Sequence, residues 1–394
     1  MEAPKPSAPR YYRPELDVVR FLAFMFVYLH HALPSIGHYP QFGDSHKAFA
    51  SVFDASRNAC ESGLSLFFAL SAFLICELLL RERNAAGTVQ VKQFYIRRIL
   101  RIWPLYYLGL ILGAVFALLP GGEPREIIRM GWFVLFMGAW NITMHGVVQS
   151  PMNPLWSISV EEQFYLFVPW VVKYFSRQSL YGLCAALILV ANSSLYYLGR
   201  MQAPSYSIWF NSFVQFECFA AGILLCLALR GRLPNFASWQ RPILILAGWS
   251  LWFSANYGLH SYFVDGSENP GSWPLIGGYA LASLGSVLIL VAFLGANPKL
   301  LPGWAIYLGR ISFGLYVYHS FAIEVTNRLL IDPHVAAIQH HLLRDCLTVG
   351  LNLVLPLGLT IPMAALSYRF FETPFLKLKK RHAIIESEPI QGAG

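Results

Sequence analysis

LDVVRFLAFMFVYLHHALP, residues Leu16 to Pro34, is the stretch whose reading decides the fold. Nineteen residues in a helix reach about 28 Å, close to the roughly 30 Å of a bilayer's hydrocarbon layer. The middle of the stretch is apolar, while Asp17 and Arg20 stand near one end and His30 and His31 near the other. A charge inside a membrane span is costly unless it finds a partner, so these residues are functional candidates.

Working outward, blocks of similar length recur at Leu64–Leu80, Trp103–Leu119, Trp156–Phe175, Leu180–Leu198, Phe210–Leu229, Pro242–Tyr257, Trp273–Leu294, Leu308–Asn327 and Leu347–Phe371. Together with the first they predict ten transmembrane helices. Met130–Ile142 is an eleventh apolar stretch of only 13 residues, a length that suits a re-entrant or short segment. The chain has 394 residues, 56% of them hydrophobic and 13% charged, against about 25% charged in an ordinary soluble domain. The expected fold class is all-α, a polytopic membrane protein held by the lipid bilayer. Disordered chains, nucleic-acid-coating proteins and strings of water-soluble domains are excluded.

The formal charge of +8 does not form a stripe for nucleic acid, because Lys and Arg gather in short segments between the apolar blocks. Such clusters report topology, since cytoplasmic loops carry the excess. With ten spans and the N-terminus inside, 20 of these residues lie inside and 7 outside, whereas an eleventh crossing turns the split into 12 against 15. Both termini are therefore expected in the cytoplasm, with a tail at 1–15, a membrane domain at 16–376 and a second tail at 377–394. The connection from Ser35 to Gly63 is the longest expected on the outer side without an apolar stretch of its own. Glu2, Pro4, Pro6 and Pro9 interrupt the start, so the first block is expected to stay as a helix and not be cleaved as a leader.

Cys76, Cys184, Cys218 and Cys226 lie inside apolar blocks, without CxxC or Cys/His zinc spacing, and read as small core residues. Cys60 and Cys346 stand at block edges, and a bridge between them is not expected on a single pair. His340 and His341 lack a Cys or carboxylate at ligand spacing, so no metal is expected. LYYLG occurs at 105–109 and 195–199, but nothing around the two copies repeats.

Arg20 and His31 are eleven residues apart, three helical turns, and share one face about 16 Å apart along the axis. Arg20 could equally pair with Asp17 at i, i+3. Phe94–Pro104 carries Arg97, Arg98 and Arg101; Arg98 and Arg101 face the same way and suit forked hydrogen bonds to phosphate. Basic residues at the entrance of a span also serve as plain membrane anchors. Trp156–Tyr165 holds the adjacent Glu161 and Glu162, which point to different sides of a helix, and Glu217, His319, Glu324, Arg369 and Glu372 complete the polar outliers. A proton-coupled transporter or polysaccharide exporter would collect such residues too, so composition alone leaves enzyme and carrier both open.

The motifs themselves are more specific. Leu16–Arg20 followed by His31 resembles the opening of the acyltransferase-3 family of integral-membrane acyltransferases. The likeness continues through Phe67–Ile75, Phe94–Pro104 with its RRxxR, Trp156–Tyr165, Ser312–His319 and Tyr368–Pro374, in the family's order. Ala72 departs from it, standing where the family usually has Gly. The resemblance implies transfer of an acyl group, commonly acetyl, from acyl-CoA to a hydroxyl of an envelope saccharide or glycoside, in the bacterial inner (plasma) membrane. Acyl-CoA would be a substrate, with no permanently bound cofactor. The resemblance makes His31, with Glu162 and Glu372, the candidate catalytic residues, and Arg20, Arg98 and Arg101 the candidate donor-binding residues. Trp156, Tyr316 and His319 are further candidates, as is Ser71 for a covalent acyl-serine, although a small residue there also suits close helix packing.

Overall fold

The computed structural model describes residues 11–35, 47–261, 268–335, 338, 340–382 and 385. Among the described residues there is no strand. The helices are α1 (Pro14–Ala32), α2 (Lys47–Cys60), α3 (Gly63–Ala86), α4 (Val91–Leu118), α5 (Glu126–Val134), α6 (Gly138–His145), α7 (Trp156–Tyr174), α8 (Arg177–Arg200) and α9 (Ser205–Trp209). They continue with α10 (Ser212–Leu229), α11 (Gln240–Tyr257), α12 (Ser272–Phe293), α13 (Gly303–Arg310), α14 (Ser312–Thr326), α15 (Asp332–Val335), α16 (His341–Ser367) and α17 (Thr373–Lys380).

Among the described residues six helical stretches are long and apolar enough to cross a membrane: Lys47–Ala86, Val91–Leu118, Arg177–Arg200, Ser212–Leu229, Ser272–Phe293 and Leu343–Lys380. The chain is an integral membrane protein. The other four expected spans coincide with α1, α7, α11 and the α13–α14 pair, which are helical but do not combine the same length and hydropathy. Three of these carry the polar residues singled out above: Asp17 and Arg20 in α1, Glu161 and Glu162 in α7, His319 in α14. The same substitutions that make a site possible lower the hydropathy of the helix that bears it.

Several expected boundaries are corrected. Leu308–Asn327 is not one helix, because the chain breaks at Ile311 between α13 and α14. Met130–Ile142 divides into parts of α5 and α6 around Phe136, whose φ of 56° lies in the left-handed region and ends the helix. Neither piece alone spans a bilayer, since nine residues of helix reach only about 14 Å. The Ser35–Gly63 connection contains α2, which packs on α11 and α1. The arginine cluster before Trp103 is already helical, since α4 begins at Val91 and runs through Pro104. Asp265 and the residues before Tyr11 lie outside the described residues.

Local signals account for α1. Pro14 opens it where no backbone donor is needed, Glu15 and Asp17 occupy its first turn, and Pro34 disfavours helix at Leu33, which is extended. α1 then packs against α3, α13 and α14. Its crossing with α13 is so close that a Cβ built on Gly309 would lie 1.9 Å from the Asp17 carbonyl oxygen. Gly309→Ala is therefore expected to force the two helices apart, at a cost of at least about 1–3 kcal/mol. A lowered thermal midpoint in detergent, compared with Gly303→Ala, which meets open space, measures this.

The core behind the site is aromatic. Phe164 of α7 stacks on Phe219 of α10 with centroids 4.4 Å apart, and Phe68 of α3 lies 5.0 Å from the same ring. Ala72 is fully buried against α10, where a Cβ on Gly222 would lie 2.9 Å from the Ala72 Cβ and 2.2 Å from the Ala69 carbonyl oxygen. The methyl that departs from the usual family residue is thus met by a glycine on the facing helix. Cys60 and Cys346 are both free thiols, the first buried and the second exposed.

Candidate active site

A cavity of about 430 Å³ is enclosed by α1, α3, α4, α7, α13, α14 and the corner where α16 turns into α17. On α3 its wall runs from Leu64 past Phe67 and Ser71 to Leu78, a rise of about 21 Å. Arg13, Arg20, Arg98, Arg101, Arg310 and Lys380 supply its cations, against the carboxylates of Asp17, Glu161 and Glu372. Arg98 over Tyr165, and Tyr11 against Arg81 past Leu78 on α3, mark one end, whereas Ser157 and Phe67 against Tyr316 stand toward the other.

The three arginines of α4 separate according to helical geometry. Arg97 donates to Glu82, 2.8 Å away, and to the His382 carbonyl at 2.9 Å, so it is a structural tie. Arg98 and Arg101 line the cavity, as their i, i+3 spacing requires. The Arg98 guanidinium lies over the rings of Tyr165 and Phe94, 5.4 and 5.6 Å from their centroids, and its Nε is buried without a hydrogen-bond partner. An orphaned donor on a cation held against aromatic faces is primed for an anion.

Arg20 is differently placed. It forms an ion pair with Asp17, whose other oxygen accepts from the Tyr12 hydroxyl at 2.8 Å. Burial, and then the Asp17 carboxylate, push Tyr12 up to about 12, so it stays a donor at neutral pH. Arg310 Nη2 donates to the Tyr12 oxygen at 3.3 Å, while its Nε is buried and unpartnered. Much of the Arg20 charge is therefore met within the protein. Arg310 presents an unsatisfied donor in the cavity wall.

The paired carboxylates of α7 also part company. Glu161 lines the cavity, near Ser71, whose hydroxyl lies 2.5 Å from that of Tyr165. Glu162, the residue selected from the motif, accepts from Trp103 Nε1 at 3.1 Å and does not border the cavity; its other oxygen is buried without a partner. Glu372 lines the cavity from the π-helical turn Tyr368–Glu372 and accepts from Ser367 Oγ at 3.2 Å. Trp156 is a buried packing residue, edge-on to Phe210 at 4.7 Å and also touching Phe68.

Tyr316 marks the far end. Its hydroxyl donates to the Pro154 carbonyl at 2.9 Å and lies 2.7 Å from Ser157 Oγ, and its ring meets Phe67 edge-on. One turn farther along α14, the fully buried His319 has Nδ1 2.6 Å from the Tyr316 carbonyl oxygen and Nε2 3.3 Å from His31 Nδ1. His31 Nδ1 is also 3.0 Å from the Val27 carbonyl oxygen, and the residue is exposed. His30 faces elsewhere: it is buried, with Nδ1 3.1 Å from the Arg57 carbonyl oxygen and Nε2 3.2 Å from Glu61. The fold thus places the basic cavity on one side of Tyr316 and the His31–His319 pair on the other.

Sequence reasoning did not single out Arg310, Tyr12 or Lys380, and treated Glu161 only as one of a pair. Arg310 stands two residues before Ser312, where the last recognised motif begins, but only the crossing of α13 over α1 carries it into the cavity.

The relatives bear on the same region. A family profile described as "Acyltransferase domain" matches residues 13–368. The chain is 24% identical over 341 residues to the "Putative O-acetyltransferase SACOL0978" of Staphylococcus aureus (strain COL), covering 80% of this chain and 52% of that protein. It is 21% identical over 346 residues to the "O-acetyltransferase OatA" of Staphylococcus aureus (strain NCTC 8325 / PS 47), with the same shares of 80% and 52%. The chain spans about half the length of these curated relatives. No solved structure matches it. The match covers nearly all the described helices and every motif quoted above except Tyr368–Pro374, of which it reaches only the first residue, and the chain belongs to the acyltransferase-3 family.

Proposed function

We propose that this protein transfers an acyl group, acetyl in the first instance, from cytoplasmic acyl-CoA to a hydroxyl of an envelope saccharide or glycoside, with His31 as general base. The observation that supports this reading is the juxtaposition of a cavity rich in arginines with a histidine pair just past its far end. Membership of an acyltransferase family favours this reading over the transporter alternative that composition left open.

In this reading Arg98 and Arg101 hold the donor's phosphates, joined by Arg310 through its unpartnered Nε. Arg20 fixes Asp17 and the adjoining mouth. The pantetheine arm lies along α3 and brings the thioester toward Tyr316. An acceptor hydroxyl approaches His31 from the outer side, and its proton passes to the imidazole as the oxygen attacks the thioester carbon. The tetrahedral adduct collapses with cleavage of the C–S bond. The proton then leaves with the thiolate as free CoA, so the base is restored and the acyl group has changed carriers.

The accompanying topology has ten crossings, both termini cytoplasmic and the protein in the bacterial inner membrane. In a Cys346→Ser background, cysteines introduced at exposed positions near Arg83 and Lys379 are expected to react with an impermeant maleimide only after the membrane is opened. One near Asp265 is expected to react in intact spheroplasts. Labelling near Lys379 from outside would require an odd number of crossings. The catalytic assignment is tested by mass spectrometry of envelope polysaccharides and small glycosides from cells with and without the gene. An acetyl increment present only with the gene supports the reading, and identical profiles overturn it.

A further inference from the structure

His319 is the least explained polar residue near the site: fully buried, close to His31 and outside the cavity wall. Its hydrogen bonds have a definite direction. A backbone carbonyl only accepts, so the 2.6 Å approach of His319 Nδ1 to the Tyr316 carbonyl oxygen puts a proton on that nitrogen. In the neutral ring Nε2 then carries the lone pair and accepts. It has two neighbours, the Ser320 hydroxyl at 3.4 Å and His31 Nδ1 at 3.3 Å.

The same logic passes to His31. Its Nδ1 faces two acceptors, His319 Nε2 and the Val27 carbonyl oxygen at 3.0 Å. Only a protonated Nδ1 satisfies both, and a neutral imidazole protonated there is bare at Nε2. We infer that His319 is a positioning residue: with Val27 it holds His31 in the Nδ1–H tautomer and leaves Nε2 as the nitrogen that takes the acceptor's proton. When His31 becomes imidazolium during attack, its Nδ1–H remains bonded to both acceptors. Because His319 is anchored to the carbonyl of Tyr316, which lines the cavity, the orientation of the base is tied to the wall that receives the donor.

This inference rests on His31 being the base, and the test separates the two. Full-length protein labelled with [15N]histidine, in lipid bilayers at neutral pH, is examined by solid-state NMR, with His31 signals assigned by difference from His31→Gln. The expected spectrum has a protonated Nδ1 and a bare Nε2 on His31, and a coupling across the hydrogen bond from His31 Nδ1 to His319 Nε2. A protonated His31 Nε2 overturns the inference without any assay of turnover. In envelope vesicles supplied with [14C]acetyl-CoA, His319→Phe keeps the ring's shape without the acceptor. It is expected to lower kcat by about tenfold or more, with the acetyl-CoA KM within about twofold. His319→Gln, which returns an acceptor oxygen toward His31, is expected to recover a large part of the loss. Wild-type turnover in His319→Phe, or a loss confined to KM, overturns the inference. Undiminished turnover in His31→Ala instead defeats the base assignment itself.

Discussion

His31→Ala is expected to lower acyl transfer by about 10²–10⁴-fold, the range lost with general-base assistance, while the protein stays folded and its acetyl-CoA KM is unchanged. The separation follows from geometry. His31 is exposed and hydrogen-bonds only through Nδ1 among the described contacts, so truncation leaves no buried charge behind. It does not border the cavity that contains Arg98 and Arg101. Steady-state rates with [14C]acetyl-CoA and isotherms for donor binding check the two halves independently. Retention of most activity would end the base assignment, and an acyl adduct trapped on Ser71 in this variant would favour a covalent route. His30 is a poor neutral control even though it faces away. Its buried ring bonds the Arg57 carbonyl oxygen through Nδ1 and fills the space beside Glu61, and a buried acceptor left unsatisfied costs about 1–3 kcal/mol. His30→Ala should therefore reduce the yield of folded protein, with specific activity per folded molecule largely kept.

Arg98→Ala and Arg101→Ala should strike the donor. On the proposed reading each removes a charge-assisted phosphate contact worth about 1.5–3 kcal/mol, so the acyl-CoA KM is expected to rise at least about tenfold, with a smaller change in kcat. Arg98 should show the larger effect, because its Nε is unpartnered and its guanidinium lies over the rings of Phe94 and Tyr165, which limit its alternatives. Lys at either position should restore only part of the affinity, since it lacks the planar fork. Arg97→Ala separates donor binding from anchoring. Arg97 ties α4 to Glu82 and to His382, so its loss should lower stability without a selective change in donor KM. Equal effects of all three substitutions on membrane insertion, with donor affinity intact, would return the cluster to a plain anchoring role.

Arg20 shows how far a residue can be judged from its neighbours in sequence. The i, i+3 spacing from Asp17 offered an ion pair as well as a ligand contact, and the structure contains the ion pair. The spacing could not reveal that Tyr12 and Arg310 extend the pair into a chain. Glu161 and Glu162 carry the same lesson. Adjacent residues on a helix diverge by about 100°, so one of the two had to turn inward, but the phase of α7 relative to α3 and α4 decides which. That phase is set by packing such as Phe164 on Phe219, contacts between segments far apart in the chain.

What the sequence by itself determined is local or periodic. Block length and composition established an all-helical membrane protein, the spacing of Arg20 and His31 put them on one face, and ordered motifs identified the family. Boundaries failed where a tertiary contact overrode hydropathy, as at Ile311, where α13 must cross α1 through Gly309. Only the tertiary structure decided which polar groups meet: Arg310 with Tyr12 across 298 residues, and His319 with His31 across 288. The reason is physical. Hydrophobic burial is non-directional and can be read from composition, whereas hydrogen bonds and ion pairs act over about 3 Å and depend on angle. Their partners are therefore chosen by how the helices rotate and cross when they pack.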